Sequence, residues 1–254
     1  MLTRHILQLA FVTVGLAACR NDAGQDGRSP PPAPASTDKD TQSDAQGLYT
    51  VELSLPALPA HADPLHEAIG SFVARQKQAF LAGLDAPGAR EQARQMPWDL
   101  DLGIAVASRT DRFINVQVDG SSFTGGAHPM PILDSFTYDT QARRMVSLGD
   151  LFTDPHAAER VFAAEARRQL IGALDDDDDP LASDMRQIDL GTEPGKDHYR
   201  VFSLLTGPDD KVHGLTFIFS PDQVAAYAAG PQAIDVPSEA FLALLKPEYR
   251  EAFR

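Results

Sequence analysis

The chain has 254 residues, 43% of them hydrophobic and 23% charged, with a formal net charge of -14 and a single cysteine. So acidic a chain repels nucleic acid and anionic lipid, and one cysteine excludes an internal disulfide framework. Its apolar content suffices for one core of its own.

The first residues, Met1 to His5, carry Arg4, and Ile6 to Ala18 is apolar except at Gln8 and Thr13. A basic start, a short apolar stretch and small residues describe a secretory signal peptide; a bilayer span needs about 20 apolar residues. The stretch ends in Leu16-Ala17-Ala18-Cys19, which resembles the bacterial lipobox. That resemblance implies removal of residues 1–18 and lipidation of Cys19, the alternative being an ordinary signal with an incidental cysteine. Arg20, in place of aspartate, resembles the pattern of lipoproteins sent to the periplasmic face of the outer membrane. Residues 20–47 lack aromatics, include Pro30 to Pro32 and are otherwise rich in Ser, Asp, Gln and Gly. This composition predicts a disordered tether behind the lipidated cysteine. Arg4 is the one charge before Cys19, and residues 20–47 hold three basic and five acidic residues, which leaves -13 on residues 48–254.

Residues 48–254 suit one domain. Alternation predicts a strand over Leu48–Leu55. Asp63 as N-cap and Pro64 at the first position predict a helix carrying Leu65, Ile69, Phe72, Val73, Phe80 and Leu81, broken at Ala86-Pro87-Gly88. Strands follow at Trp98–Ala107 and Arg112–Val118, with Asp119-Gly120 read as a turn, then at Ile132–Tyr138 and Arg144–Val146. Asp154-Pro155 predicts a second helix to Leu174, with Val161, Phe162, Ala166, Leu170 and Ile171 on its apolar face. Tyr199–Leu205 and Val212–Phe219 form a hairpin about Gly207 to Asp210, and a last helix is expected over Ser238–Leu245, capped by Ser238. Strands joined by short turns, with fewer helices, imply an α+β fold: a largely antiparallel sheet with helices packed on it, in a single domain.

Thr124-Gly125-Gly126-Ala127-His128-Pro129 follows a β run, and paired glycines permit positive φ and close backbone approach. It is either a binding loop with His128 at its tip or a tight connection in which His128 satisfies a buried carbonyl; the chemistry alone favours the second. A Ser122, His128 and Asp134 triad is conceivable on residue type, but no G-x-S-x-G elbow is present. The seven histidines (His5, His61, His66, His128, His156, His198 and His213) contain no H-E-x-x-H pair. The Asp175–Asp179 run is contiguous, whereas calcium loops interleave their carboxylates, so it reads as a solvated acidic loop. No metal or cofactor is expected.

Thr124 to His128, Phe136 to Asp139, Val146 to Phe152, Gly214 to Phe219, and Pro221 to Pro231 with its Tyr227 occur in one order. That order resembles the extracytoplasmic domain of the RsiV-like and PdaC-like family of lysozyme-sensing anti-sigma factors and peptidoglycan deacetylases, over residues 48 to about 245. Here Pro129 stands where the family continues with glycine, and Asp222 where it has a tyrosine. The family's sigma-binding, membrane-spanning and deacetylase parts have no counterpart in the sequence. The resemblance implies an envelope domain, without catalysis, that binds and inhibits a lysozyme-class peptidoglycan hydrolase, with Thr124, Gly125, Gly126, His128 and Pro129 in the contact. Many lysozymes are basic, so an acidic domain would steer them. The alternatives are a structural module that binds peptidoglycan itself and, last, that the protein is an uncharacterised hydrolase.

Overall fold

A computed structural model describes residues 37–176, 185–195 and 197–254. The signal peptide, Cys19, most of the tether and Asp177–Asp179 of the acidic run lie outside the described residues. Among the described residues nine strands form two sheets. The first is six-stranded, in the order β1 (Thr37–Ser43), β2 (Tyr49–Pro56), β3 (Trp98–Arg109), β4 (Phe113–Phe123), β5 (Met130–Asp139) and β6 (Arg144–Met145). Its neighbours are antiparallel except β2 and β3. That parallel pair requires a crossover, supplied by helices α1 (Asp63–Gly83) and α2 (Ala89–Gln95). The second sheet is an antiparallel meander of β7 (Phe202–Thr206), β8 (Val212–Phe219) and β9 (Gln232–Pro237). Two further helices, α3 (Pro155–Asp176) and α4 (Met185–Gly191), precede it. The expected largely antiparallel α+β domain is what forms.

Period-2 alternation places two cores on opposite faces of the first sheet. Val51, Leu53, Leu100, Leu102, Ile114, Val116 and Val118 meet Leu65, Ile69, Phe72 and Phe80 of α1. On the other face Phe113 joins a core of α3, the second sheet and the C-terminal residues. Its centre is Phe162, with ring centroids 4.7 Å from Phe217, 5.6 Å from Phe152 and 5.7 Å from Phe241. Asn115 stitches the halves together, its Nδ2 donating to Thr137 Oγ1 at 2.9 Å and to the Phe202 carbonyl at 3.2 Å.

Several local expectations are corrected. Thr37–Ser43, read as tether, pairs along its full length with β2; its side chains are solvent-exposed where described, so no hydrophobic alternation marked it. Asp119-Gly120 is not a turn but mid-strand, opposite Gly103 and Leu102. There β3 and β4 crowd each other: a Cβ at Gly103 would lie 2.8 Å from the Asp119 carbonyl oxygen, and one at Gly120 would press on that of Asp101. Asp63 sits inside α1, after Ala62, and makes no side-chain cap. Asp154 does cap, accepting from Ala157 N at 2.9 Å. The expected helix over Ser238–Leu245 is two 3₁₀ turns, Ser238–Ala240 and Leu242–Leu244, with Ser238 inside the first and a third turn over Pro247–Ala252.

The C-terminal turns are tied to the first sheet through Asp139, which is fully buried. Its Oδ2 accepts from Arg112 Nη2 at 3.1 Å and Nε at 3.3 Å, and its Oδ1 from the N–H groups of Gln141 and Ala142 at 2.9 Å. The Arg112 guanidinium lies 4.6 Å from the Tyr249 ring centroid and donates to the Glu248 carbonyl. Truncating one partner of a buried pair strands the other charge, at about 3–5 kcal/mol. Asp139→Ala is therefore expected to lower unfolding free energy by that amount in urea titration, with Arg112→Ala similar and the double variant far less than additive.

Candidate binding site

The loop between β4 and β5 is held at both ends. Gly125 has φ of +81°, a conformation that glycine adopts freely, and its carbonyl accepts from Gln92 Nε2 of α2 at 2.9 Å. A side chain at residue 125 would collide with the Gln92 carboxamide. At the other end, Tyr227 in the 3₁₀ turn Tyr227–Ala229 donates its hydroxyl to the Pro129 carbonyl at 2.6 Å. Its ring lies against that of His128, centroids 3.8 Å apart and planes 30° from parallel. His128 Nδ1 is 3.2 Å from the exposed Pro129 carbonyl, so the histidine satisfies no buried group. Thr124, Gly126, Ala127, His128 and Pro129 are exposed, and Met130 beside them is 60% exposed. This is a braced loop presenting an aromatic stack and a thioether, side chains suited to contact surfaces.

The strand entering this loop continues an open floor. Cross-strand register puts Glu52 opposite Asp101 and Asp101 opposite Ser121, with Asp99 opposite Phe123 and Asp119 opposite Gly103. These residues share the sheet face opposite α1, whose other half is covered where β7 meets Asn115 and Ser135. Glu52, Asp101 and Asp119 are exposed. Partial burial, then Asp101 and Glu52, pushes the Asp99 carboxyl above its usual range. Like charges directly opposite on a sheet repel, so this half of the face is held in a state that a cationic surface would relieve. Behind the loop, a hollow of about 270 Å³ is lined by Gln76, Phe80, Trp98, Ser122 and Thr124.

The residues of the conceivable triad are not brought together as a relay. Ser122 pairs with Met130 in the ladder. His128 faces Tyr227, and Asp134 binds Arg200 Nη1 at 2.9 Å. Among the described residues no group of three or more His, Cys, Asp or Glu side chains is placed to hold a metal ion. Sequence reasoning found the loop but missed Gln92, Met130 and the floor. Alternation already put Asp99 and Asp101 on one face; the register that adds Glu52 and Asp119 is tertiary.

The architecture and part of the sequence have known counterparts. Residues 149–239 match the family model DUF3298, a protein family of unknown function. A DUF3298 family member from Bacteroides fragilis NCTC 9343 superposes with a TM-score of 0.54 at 15% identity, over 85% of this chain and 93% of that one. A DUF3298 family protein from Pseudomonas aeruginosa PAO1 does so at 0.52 and 16%, over 85% and 96%. At such identities the DUF3298 structures establish the shared fold. No curated protein matches the sequence. The DUF3298 segment contains Tyr227 and begins at Gly149, whereas Thr124–Met130 and the acidic floor precede it. No helix among the described residues is long and apolar enough to cross a membrane.

The floor yields a stability prediction. Asp99 has a raised pKa in the folded state, so its own contribution to stability falls as pH rises through that interval. Asp101→Asn removes a like charge and is expected to stabilise at neutral pH by about 0.2–1 kcal/mol. The gain should shrink as pH falls towards the carboxylate range, in thermal melts compared across pH.

Proposed function

We propose that this protein is an envelope lipoprotein, lipidated at Cys19, whose domain binds a basic lysozyme-class peptidoglycan hydrolase and blocks its cleft. The observation that carries the reading is the uncovered carboxylate floor of Glu52, Asp99, Asp101 and Asp119 running directly into the braced loop Thr124–Met130. Supporting it are the order of motifs shared with the RsiV-like and PdaC-like domains and the -13 charge of residues 48–254. Inhibition is steric and uses no cofactor; an interface of standard size buries about 800 Å² per partner. The floor steers the enzyme in and is screened by salt, while Met130 and the His128–Tyr227 stack supply contact that persists after docking. The partner is a host lysozyme or a lysozyme-like effector of a competing cell.

The test is titration of the chain from residue 20 onward, carrying no lipid, against basic lysozymes by calorimetry, with wall lysis followed by turbidity. One-to-one binding that suppresses lysis and weakens with salt is expected. Glu52→Gln with Asp101→Asn should slow association about tenfold with little change in dissociation, and His128→Ala should chiefly speed dissociation. Absence of binding to every enzyme at low salt, or retention on purified sacculi at high salt instead, overturns the reading.

A further inference from the structure

A second surface lies along the far edge of β5. In an antiparallel ladder the backbone groups of alternate residues point to the same edge. The Thr137 carbonyl accepts from Val146 N at 2.8 Å, where β6 ends, and the Leu133 carbonyl accepts from Arg200 Nη2 at 3.2 Å. Residues 129, 131, 133, 135 and 137 therefore turn their backbone away from β4. Among the described residues no strand continues the sheet after Val146: Ser147 forms a reciprocal cap with Asp150 and turns the chain into the 3₁₀ segment Leu148–Leu151. Pro131 has no N–H, and the Ser135 N–H donates to the side chain of Asp134 at 2.9 Å. The edge is thus satisfied by side chains where a strand would otherwise pair.

Beside it lies a cleft of about 390 Å³, bordered by Asp134 and Ser135 of β5, the 146–149 turn, Glu159 of α3, and Asp197 and Arg200. That volume falls within the range of ligand sites. The groups closing the edge are weakly held: the Arg200 and Asp134 side chains are 53% and 26% exposed, and exposed ion pairs contribute little. The described lining residues include three carboxylates, Asp134, Glu159 and Asp197, and one guanidinium, Arg200; Asp134 pairs with Arg200, and Glu159 accepts from the Gly195 N–H at 2.7 Å.

We infer that this cleft accepts an extended polypeptide segment bearing lysine or arginine, which adds to β5 as the missing strand after displacing Arg200 from the Leu133 carbonyl. Main-chain hydrogen bonds to Leu133 and Ser135 supply the pairing, as in strand addition elsewhere. Asp134, freed from Arg200, joins Glu159 and Asp197 in receiving the cationic side chain. The Arg200–Asp134 pair keeps the edge closed until such a segment arrives, which also protects it from indiscriminate pairing. This site does not depend on the hydrolase reading, and neither the floor nor the His128 loop takes part.

The probe is an acetylated, amidated hexapeptide of alternating lysine and valine, added to the isotope-labelled chain from residue 20 onward. The control is the same peptide N-methylated at alternate residues, which keeps its charge and loses its edge donors. The expected result is saturable binding with amide shifts at Leu133, Ser135 and Ser147, weakened at least tenfold by N-methylation. Arg200→Ala should retain the folded spectrum elsewhere and bind the unmethylated peptide at least threefold more tightly. Equal binding of both peptides, shifts confined to other residues, no binding at millimolar peptide, or unchanged or weaker binding by Arg200→Ala overturns the inference. Glu52→Gln, which tests the floor, should leave this binding unchanged, so failure at one site is not failure at the other.

Discussion

The junction between the two cores rests on a carboxylate that water does not reach. A buried charge is tolerable only when fully partnered, and Asp139 achieves this with two backbone N–H groups and one guanidinium. The same Asp139 ends β5, the same Arg112 immediately precedes β4, and Arg112 lies over the Tyr249 ring in the last 3₁₀ turn. One pair therefore fixes the turn after β5, the entry to β4 and the docking of the C-terminal segment. Arg144 adds a second tie by donating to the Tyr249 hydroxyl at 2.8 Å. With that corner fixed, the second sheet lies over only one half of the first sheet's outer face. The half left open is the floor, so the position of the candidate site follows from where the covering stops.

The open half is built against its own stability. Gly103 and Gly120 let β3 and β4 pinch together where any side chain would meet backbone, while Glu52, Asp99 and Asp101 sit as neighbours of like charge. A surface selected only for folding would place a lysine or threonine at one of these positions. Sites of binding are where local rules are broken and the cost is absorbed elsewhere; here two aromatic-rich cores absorb it.

The fold class was legible because most elements carry their own signal. Alternation marked Trp98–Ala107 and the Tyr199–Phe219 hairpin, and Asp154-Pro155 marked the start of α3 with a cap that forms. Elements that lack a one-sided apolar pattern were not legible. β1 is exposed, and α2 and α4 are seven residues each. Asp119-Gly120 has the chemistry of a turn, and only its register opposite Gly103 and Leu102 keeps it in the strand. For the candidate site, Thr124–Pro129 stood out through its paired glycines, whereas Gln92 and Tyr227 brace it from residues 32 positions before and 103 after Thr124. Long-range braces of that kind have no spacing rule to betray them.

The sheet edges show how differently a fold can close the same opening. On β9, Gln169 of α3 presents its carboxamide to the backbone, Nε2 donating to the Asp235 carbonyl at 2.6 Å and Oε1 accepting from its N–H at 3.3 Å. That amide imitates a neighbouring strand, is partly buried and is held in turn by Glu165, so a competing segment would have to dislodge a helix side chain from its packing. β1 instead deters partners with Asp38, Lys39 and Asp40 along its length. β5 uses neither device. Its guards are a proline and an ion pair between an exposed guanidinium and a partly buried carboxylate, and the space beyond them is a cleft. Of the edges compared, β5 is the one whose opening costs least, which is why a pairing partner is placed there and not at β1 or β9.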